Sequence, residues 1–199
     1  DSTYTVTADL VGCISTDQVN VVVNPNPTVN DPADQNLCEG SNTTPVNFTG
    51  SLPGTIYDWT NSNATIGLGA NGTGNIASFV AVNVGPTLTS IVTVTPSLAG
   101  CVGTPQSFNI TVINSTPSLN CPGNLTAICS ITEQPPYATL TAFTTAGGSA
   151  SSIGSTIVPA SFTLVSEISD GLSCPETVTR TYSIQDTCGH VATCSQTII

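Results

Sequence analysis

Eight cysteines are the residues of this chain best equipped for chemistry. Thiols at fixed spacing either ligate metal or pair as disulfides. The spacings Cys121-x7-Cys129 and Cys188-x5-Cys194 are not zinc-ligand spacings, and the sequence contains no Cys-x-x-Cys. Disulfides in an oxidising compartment are therefore expected. His190 is the single histidine and the only candidate general base. It follows Gly189 in a turn-like segment, with no second histidine, no lysine and no Gly-x-Ser-x-Gly elbow to accompany it, so a turn residue is expected and catalysis is not. Serines are many, but none is placed beside an activating base. The carboxylates are too sparse for a glycosidase pair to be read from spacing. Asp31 and Asp34, in Asn30-Asp31-Pro32-Ala33-Asp34, are weak candidates for calcium, which takes oxygen ligands; otherwise they are solvated loop carboxylates. No other cofactor is expected.

Composition narrows the partners. The 199 residues include one Lys or Arg (Arg180), twelve Asp or Glu and a net charge of −11. Nucleic acid is excluded as a natural partner, because neutralising phosphates needs cations. Attraction to an anionic membrane surface is disfavoured for the same reason. No apolar run approaches the roughly 20 residues of a spanning helix, so no membrane insertion is expected. The sequence has no methionine and no recognisable leader, and reads as a stretch of a longer precursor.

The elements that would position these residues recur along the chain. Thr5-Val6-Thr7-Ala8-Asp9-Leu10-Val11-Gly12-Cys13 aligns without gaps with Thr93-Val94-Thr95-Pro96-Ser97-Leu98-Ala99-Gly100-Cys101, at an offset of 88. Asn24-Pro25-Asn26-Pro27 falls opposite Asn114-Ser115-Thr116-Pro117 at 90. The segment ending at Cys188 lies opposite that ending at Cys101 at 87, and Cys129 opposite Cys38 at 91. A period of about 90 residues is the size of one immunoglobulin-like sandwich. It divides the chain into the closing hairpin of a truncated repeat (1–24), a complete repeat (25–114) and a second, diverged repeat (115–199). The short Pro-containing joins would be semi-rigid.

Within the repeats the hydrophobic period is 2, as in Phe108, Ile110 and Val112 alternating with Asn109 and Thr111. No stretch shows a helical period. The complete repeat is expected to carry strands near 27–37, 44–49, 55–60, 75–83, 87–96 and 105–113. Trp59, the single tryptophan, falls on the third of these, where a core role is expected rather than a ligand-stacking one. Arg180 shares a strand face with Val178, Tyr182 and Ile184. A core-facing cation needs a partner, for which Glu167 and Asp186 are candidates.

The segments Leu37-Cys38-Glu39-Gly40, Val46-Asn47-Phe48-Thr49-Gly50, Thr55-Ile56-Tyr57-Asp58-Trp59-Thr60 and Ala99-Gly100-Cys101 resemble the PKD-like repeat of large Bacteroidetes surface proteins. Cys121-Pro122-Gly123-Asn124, Cys174-Pro175-Glu176-Thr177-Val178-Thr179-Arg180-Thr181-Tyr182 and Asp186-Thr187-Cys188-Gly189-His190-Val191-Ala192-Thr193-Cys194 resemble the HYR-like repeats of the same proteins. Proteins of this architecture include gliding-motility adhesins of the SprB type and other large products of type IX secretion. The resemblance implies all-β, tandem immunoglobulin-like antiparallel sandwiches in an elongated rod. It also implies export to the cell surface and a non-enzymatic part in an adhesive filament attached to the outer membrane. The partners it implies are extracellular surfaces or polysaccharides and neighbouring repeats of the same chain. The alternative is a set of carbohydrate-binding or spacer modules of a secreted enzyme. One departure is that 147–154 lacks the Asp-Asn-Cys of many HYR-like copies, which leaves five cysteines in the last repeat.

In such a sandwich the first strand runs parallel to the last. Cys129 and Cys174 then fall at one end and are expected to pair, with Cys121 at the other end bonded to Cys194 or Cys188. Cys38 and Cys101 pair by count alone, yet topology sets them at opposite ends of their repeat, and a bond needs Cα atoms within about 7 Å. Bonding across a joint between repeats is the alternative. Cys13 is expected to pair outside the sequence given. Asn-x-Ser/Thr triplets at Asn42, Asn47, Asn63, Asn71, Asn109 and Asn124 are expected to be chance in so Asn- and Thr-rich a chain. Asp1-Ser2-Thr3 fits the O-glycosylation pattern of the phylum named.

Overall fold

The computed structural model describes residues 2–128, 130–172 and 175–199. Its architecture is all-β, built from mainly antiparallel sheets with one short α-helix and two 3-10 turns among the described residues. β1 (Ser2–Leu10) and β2 (Cys13–Val21) form a hairpin by themselves, in register from Ser2↔Val21 to Leu10↔Cys13. Its two-residue turn, Val11-Gly12, has φ of 50° and 86°. Both positive values match the right-handed twist of a tight hairpin, and glycine supplies the second without strain. Every residue of the hairpin is exposed, including Tyr4, Val6, Leu10, Val19 and Val21 on one face.

The middle unit centres on one sheet. β3 (Gln35–Cys38), β8 (Gln106–Ile113), β6 (Leu88–Leu98), β4 (Ile56–Asn61) and β5 (Asn71–Thr73) pair in that order, with β7 (Cys101–Val102) beside β6. β3 runs parallel to β8, the remaining pairs antiparallel. Alternation aims Val92, Val94, Phe108, Ile110 and Val112 inward, all essentially unexposed. They pack on Val29, Val46, Phe48, Leu68, Ile76 and Ala81 of the opposing layer.

That layer corrects part of the strand reading. The expected strands at 44–49 and 75–83 are extended segments joined only by the isolated bridges Val46↔Ile76 and Asn42↔Val80. Side chains interrupt the ladder. The Phe48 amide donates to the Asn75 side-chain oxygen, and the Phe79 amide to the Thr43 hydroxyl. Such side-chain bonds compete with regular pairing. The expected strand at 27–37 shortens to β3, its earlier part being an extended entry in which Pro27 and Val29 are buried. Trp59 is buried, its indole N–H donating to the Gly74 carbonyl at 3.1 Å. Gly72 lies against its ring, where a Cβ would come within 2.3 Å.

The C-terminal unit has β9 (Thr116–Asn120) paired with β10 (Ser149–Ile153), and a sheet of β11 (Ile157–Ser169), β12 (Val178–Asp186) and β13 (Val191–Ile198). α1 (Leu140–Thr145) is a turn of helix the hydrophobic period does not reveal. Thr139 caps it by accepting from the Ala142 amide, and its Phe143 is fully buried. Phe143 packs with Phe162, Tyr182 and Tyr137, ring centroids 4.9 to 5.7 Å apart. Six residues are too few to show a period, and tertiary packing holds them.

Candidate functional site

The two units meet where β8 leads into β9 through Asn114 and Ser115 alone. The parallel register puts Cys38 beside Ile113, at the end of the middle unit nearest the joint. The β12–β13 corner, residues 187–190, reaches back toward Ser115 from the other side. There Cys38 bonds Cys188, their Cα atoms 5.6 Å apart and 150 residues apart in sequence. This corrects the pairing of Cys38 with Cys101 by count, because β3 and the β6–β7 turn lie at opposite ends of the middle unit. Inter-repeat bonding, the alternative left open above, is the arrangement found. Cys121 bonds Cys194, Cα atoms 5.6 Å apart, joining the exit of β9 to β13 within one unit. Cys101 is half-buried and Cys13 exposed, both as free thiols. The expected pair Cys129–Cys174 lies outside the described residues, as does Asp1 of the possible glycosylation triplet.

Polar contacts tighten the joint. The Asn114 side-chain amide donates to the Asn83 carbonyl at 3.0 Å, and the Glu39 amide to the Ile113 carbonyl at 2.8 Å. Gly154 turns at φ 83° against the Asn114 carbonyl and Thr87, where a Cβ would lie 3.1 Å from that carbonyl. At the start of the last repeat, the Ser115 hydroxyl lies 2.8 Å from His190 Nδ1, and Asp186 Oδ2 lies 3.8 Å from the same nitrogen.

Serine, histidine and aspartate together invite comparison with a catalytic triad. A triad needs the nucleophile on one ring nitrogen and the acid on the other. Here both address Nδ1, and Ser115 is buried. Asp186 instead organises the corner. Its Oδ1 accepts from the amides of Cys188 (2.9 Å) and His190 (3.1 Å), and its Oδ2 from the Ser152 hydroxyl (3.1 Å). Burial pushes this carboxyl up. Hydrogen bonds from Ser115, Ser155, the His190 backbone and Ser152 outweigh that and hold it down at about 2. The ionised carboxylate therefore clamps the loop that presents Cys188.

Arg180 is buried on the inward face of β12. Of its two candidate partners it pairs with Glu167, directly opposite on β11, and donates also to the Gln134 carbonyl. Asp31 and Asp34 border a shallow cleft with Asn30, Gln35, Thr44 and Asn47. The Asp34 carboxylate accepts from the Asn109 amide at 2.6 Å and its side-chain nitrogen at 3.2 Å, and these bonds hold its pKa below the ordinary value. Among the described residues no three His, Cys, Asp or Glu gather as metal ligands. No helix among them is long and apolar enough to cross a membrane.

No family model matches the chain, and no curated protein does. Among solved structures it is similar to the cadherin-like domains 1 to 4 of zebrafish RET, at 10% identity and a TM-score of 0.32. That match covers 98% of this chain and 57% of the RET chain.

Proposed function

We propose that this chain is a structural and adhesive segment of a giant secreted filament at a cell surface, its β units in series forming a semi-rigid stalk. The observation that carries this is the cystine that ties one unit to the next across a two-residue join. A covalent tie between folded units limits how far the joint can bend or part under tension. It also belongs to an oxidising compartment outside the cytosol. Hydroxyl pairs project from the outer faces of both units, at Thr89–Thr111, Thr93–Ser107 and Thr181–Ser195. Rows of such groups could make weak contacts to polysaccharide or abiotic surfaces, which multivalency would strengthen. In its finer form the reading is an adhesin attached to the outer membrane, exported by type IX secretion and used in gliding. That part stands on the repeat resemblance alone.

Beads coated densely with the chain, flowed over glass and immobilised bacterial polysaccharides, test it. Retention that rises steeply with coating density across several surfaces is the expected result. Tight binding of the soluble chain to one glycan would replace the filament reading with a carbohydrate-binding module. No retention at any density would remove the adhesive role.

A further inference from the structure

We propose that Cys101 is one half of a second inter-unit disulfide, whose other half is a cysteine of the unit preceding the middle one, placed there as Cys38 is placed here. The inference rests on the reading of a longer chain of repeats. Cys188 is the observed acceptor of such a staple, on the β12–β13 corner that faces the entry of its unit. Cys101 occupies the matching corner of the middle unit, 87 residues earlier. It directly follows the Ala99-Gly100 turn, whose φ values are 48° and 83°. Its Sγ lies 3.9 Å from the carbonyl of Asn24, the residue that Asn114 matches at the next joint. The corner also packs tightly on the entry segment, since a Cβ on Gly103 would sit 1.8 Å from the Pro27 carbonyl. The thiol is therefore aimed at the seam with whatever unit comes before.

The β1–β2 hairpin gives that unit a visible end. Its Val11-Gly12 turn repeats the Ala99-Gly100 geometry, with φ of 50° and 86°, and places Cys13 as the next such corner. Tyr4 and Val6 match Val92 and Val94, which are fully buried in the middle unit, yet they lie bare here. Cys13 cannot itself be the partner of Cys101. β2 carries it about 27 Å away from the linker that Cys101 touches, at roughly 3.4 Å per residue.

The bond forms by exchange with a disulfide-bearing oxidant. The Cys101 thiolate attacks one sulfur of that disulfide, giving a mixed disulfide and a free oxidant thiol. The partner thiolate then attacks the Cys101 sulfur and expels the second oxidant thiol. Two protons and two electrons pass from the two cysteines to the oxidant.

The full-length secreted protein, alkylated without reduction and mapped by mass spectrometry after Glu-C and pepsin digestion, is the test. Cys101 is expected in a cross-linked peptide with a cysteine about 50 residues before Asp1, the place set by the 150-residue Cys38–Cys188 separation and the repeat period. A full-length C101S variant should leave that one upstream cysteine newly alkylated. The Cys38–Cys188 peptide serves as the internal control. Alkylated Cys101, or Cys101 bonded to Cys13 or to a second chain, overturns the proposal. Because this map reads no adhesion, its outcome is separate from that of the bead assay.

Discussion

Removing the joint cystine is expected to weaken the C-terminal unit, although one of its sulfurs belongs to the middle unit. With the middle unit folded, β3–β8 pairing fixes Cys38 beside Ile113. When the C-terminal unit unfolds, the staple then closes a loop of about 75 residues, from 113 to 188, for which chain entropy predicts about 4.5 kcal/mol. The Cys121–Cys194 bond, with a separation of 73 residues, gives about 4.4 kcal/mol when it acts alone. The two bonds share most of one loop. Once either is present, the other closes only the two short arms, 113–121 and 188–194, a loop of about 14 residues worth about 3 kcal/mol. The double serine variant at Cys38 and Cys188 should therefore lose about 3 kcal/mol, and so should the one at Cys121 and Cys194. The fourfold variant should lose about 7.5 kcal/mol, about 1.5 beyond the sum of the two. Urea unfolding followed by amide exchange in β12 and β13, with Cys129 and Cys174 both replaced by serine in every variant so that no third bond shortens these loops, reads these values. Additive losses, or a loss confined to Trp59 fluorescence of the middle unit, would refute the shared-loop reasoning.

Four single substitutions carry further expected outcomes. The Asp186 carboxyl is held at about 2 when folded against about 3.9 when unfolded, so its contribution is present above pH 4 and is lost as pH falls toward 2. Asp186→Asn should flatten that part of an acid-unfolding curve, and an unchanged curve would contradict the clamp. Arg180→Ala should cost about 3 kcal/mol in urea unfolding, because it strands the Gln134 carbonyl and removes a buried stem. Glu167→Gln should cost only about 1 kcal/mol, since that side chain is 41% exposed; equal losses would place the importance in the ion pair instead. Gly72→Ala should force the Trp59 ring aside at about 1–3 kcal/mol and shift its emission to the red, and unaltered emission would show the contact to be slack.

Much of the sheet framework was legible because its residues obey a single period. Phe108, Ile110 and Val112 alternate inward along β8 as their spacing requires, and Val178, Arg180, Tyr182 and Ile184 do so along β12. The layer over the middle sheet was less legible, because Thr43 and Asn75 spend their side chains on backbone amides and break the ladder. Hydrophobicity reports which way a residue faces, not whether its amide finds a strand. α1 was hidden by brevity, and its one strong signal, the Thr139 cap, is common in a Thr-rich chain. The Glu167–Arg180 pair was within reach, since cross-strand register needs only an opposite charge facing a buried cation.

The joint was the part that composition could not assign, and the reason is topological. Counting cysteines within a repeat presumes that each repeat is closed on itself. Parallel pairing of the first and last strands defeats that presumption. It carries the end of β3 to the exit of its unit, while the β6–β7 corner stays at the entrance. A cysteine at each of those places has its nearest counterpart in the neighbouring unit, as the bond from Cys38 to Cys188 demonstrates. An odd number of cysteines in a repeat is then no defect. It is what a unit shows when it spends a single sulfur on one neighbour, as Cys188 is spent on Cys38, and it makes the pairing pattern a property of the series rather than of any single sandwich.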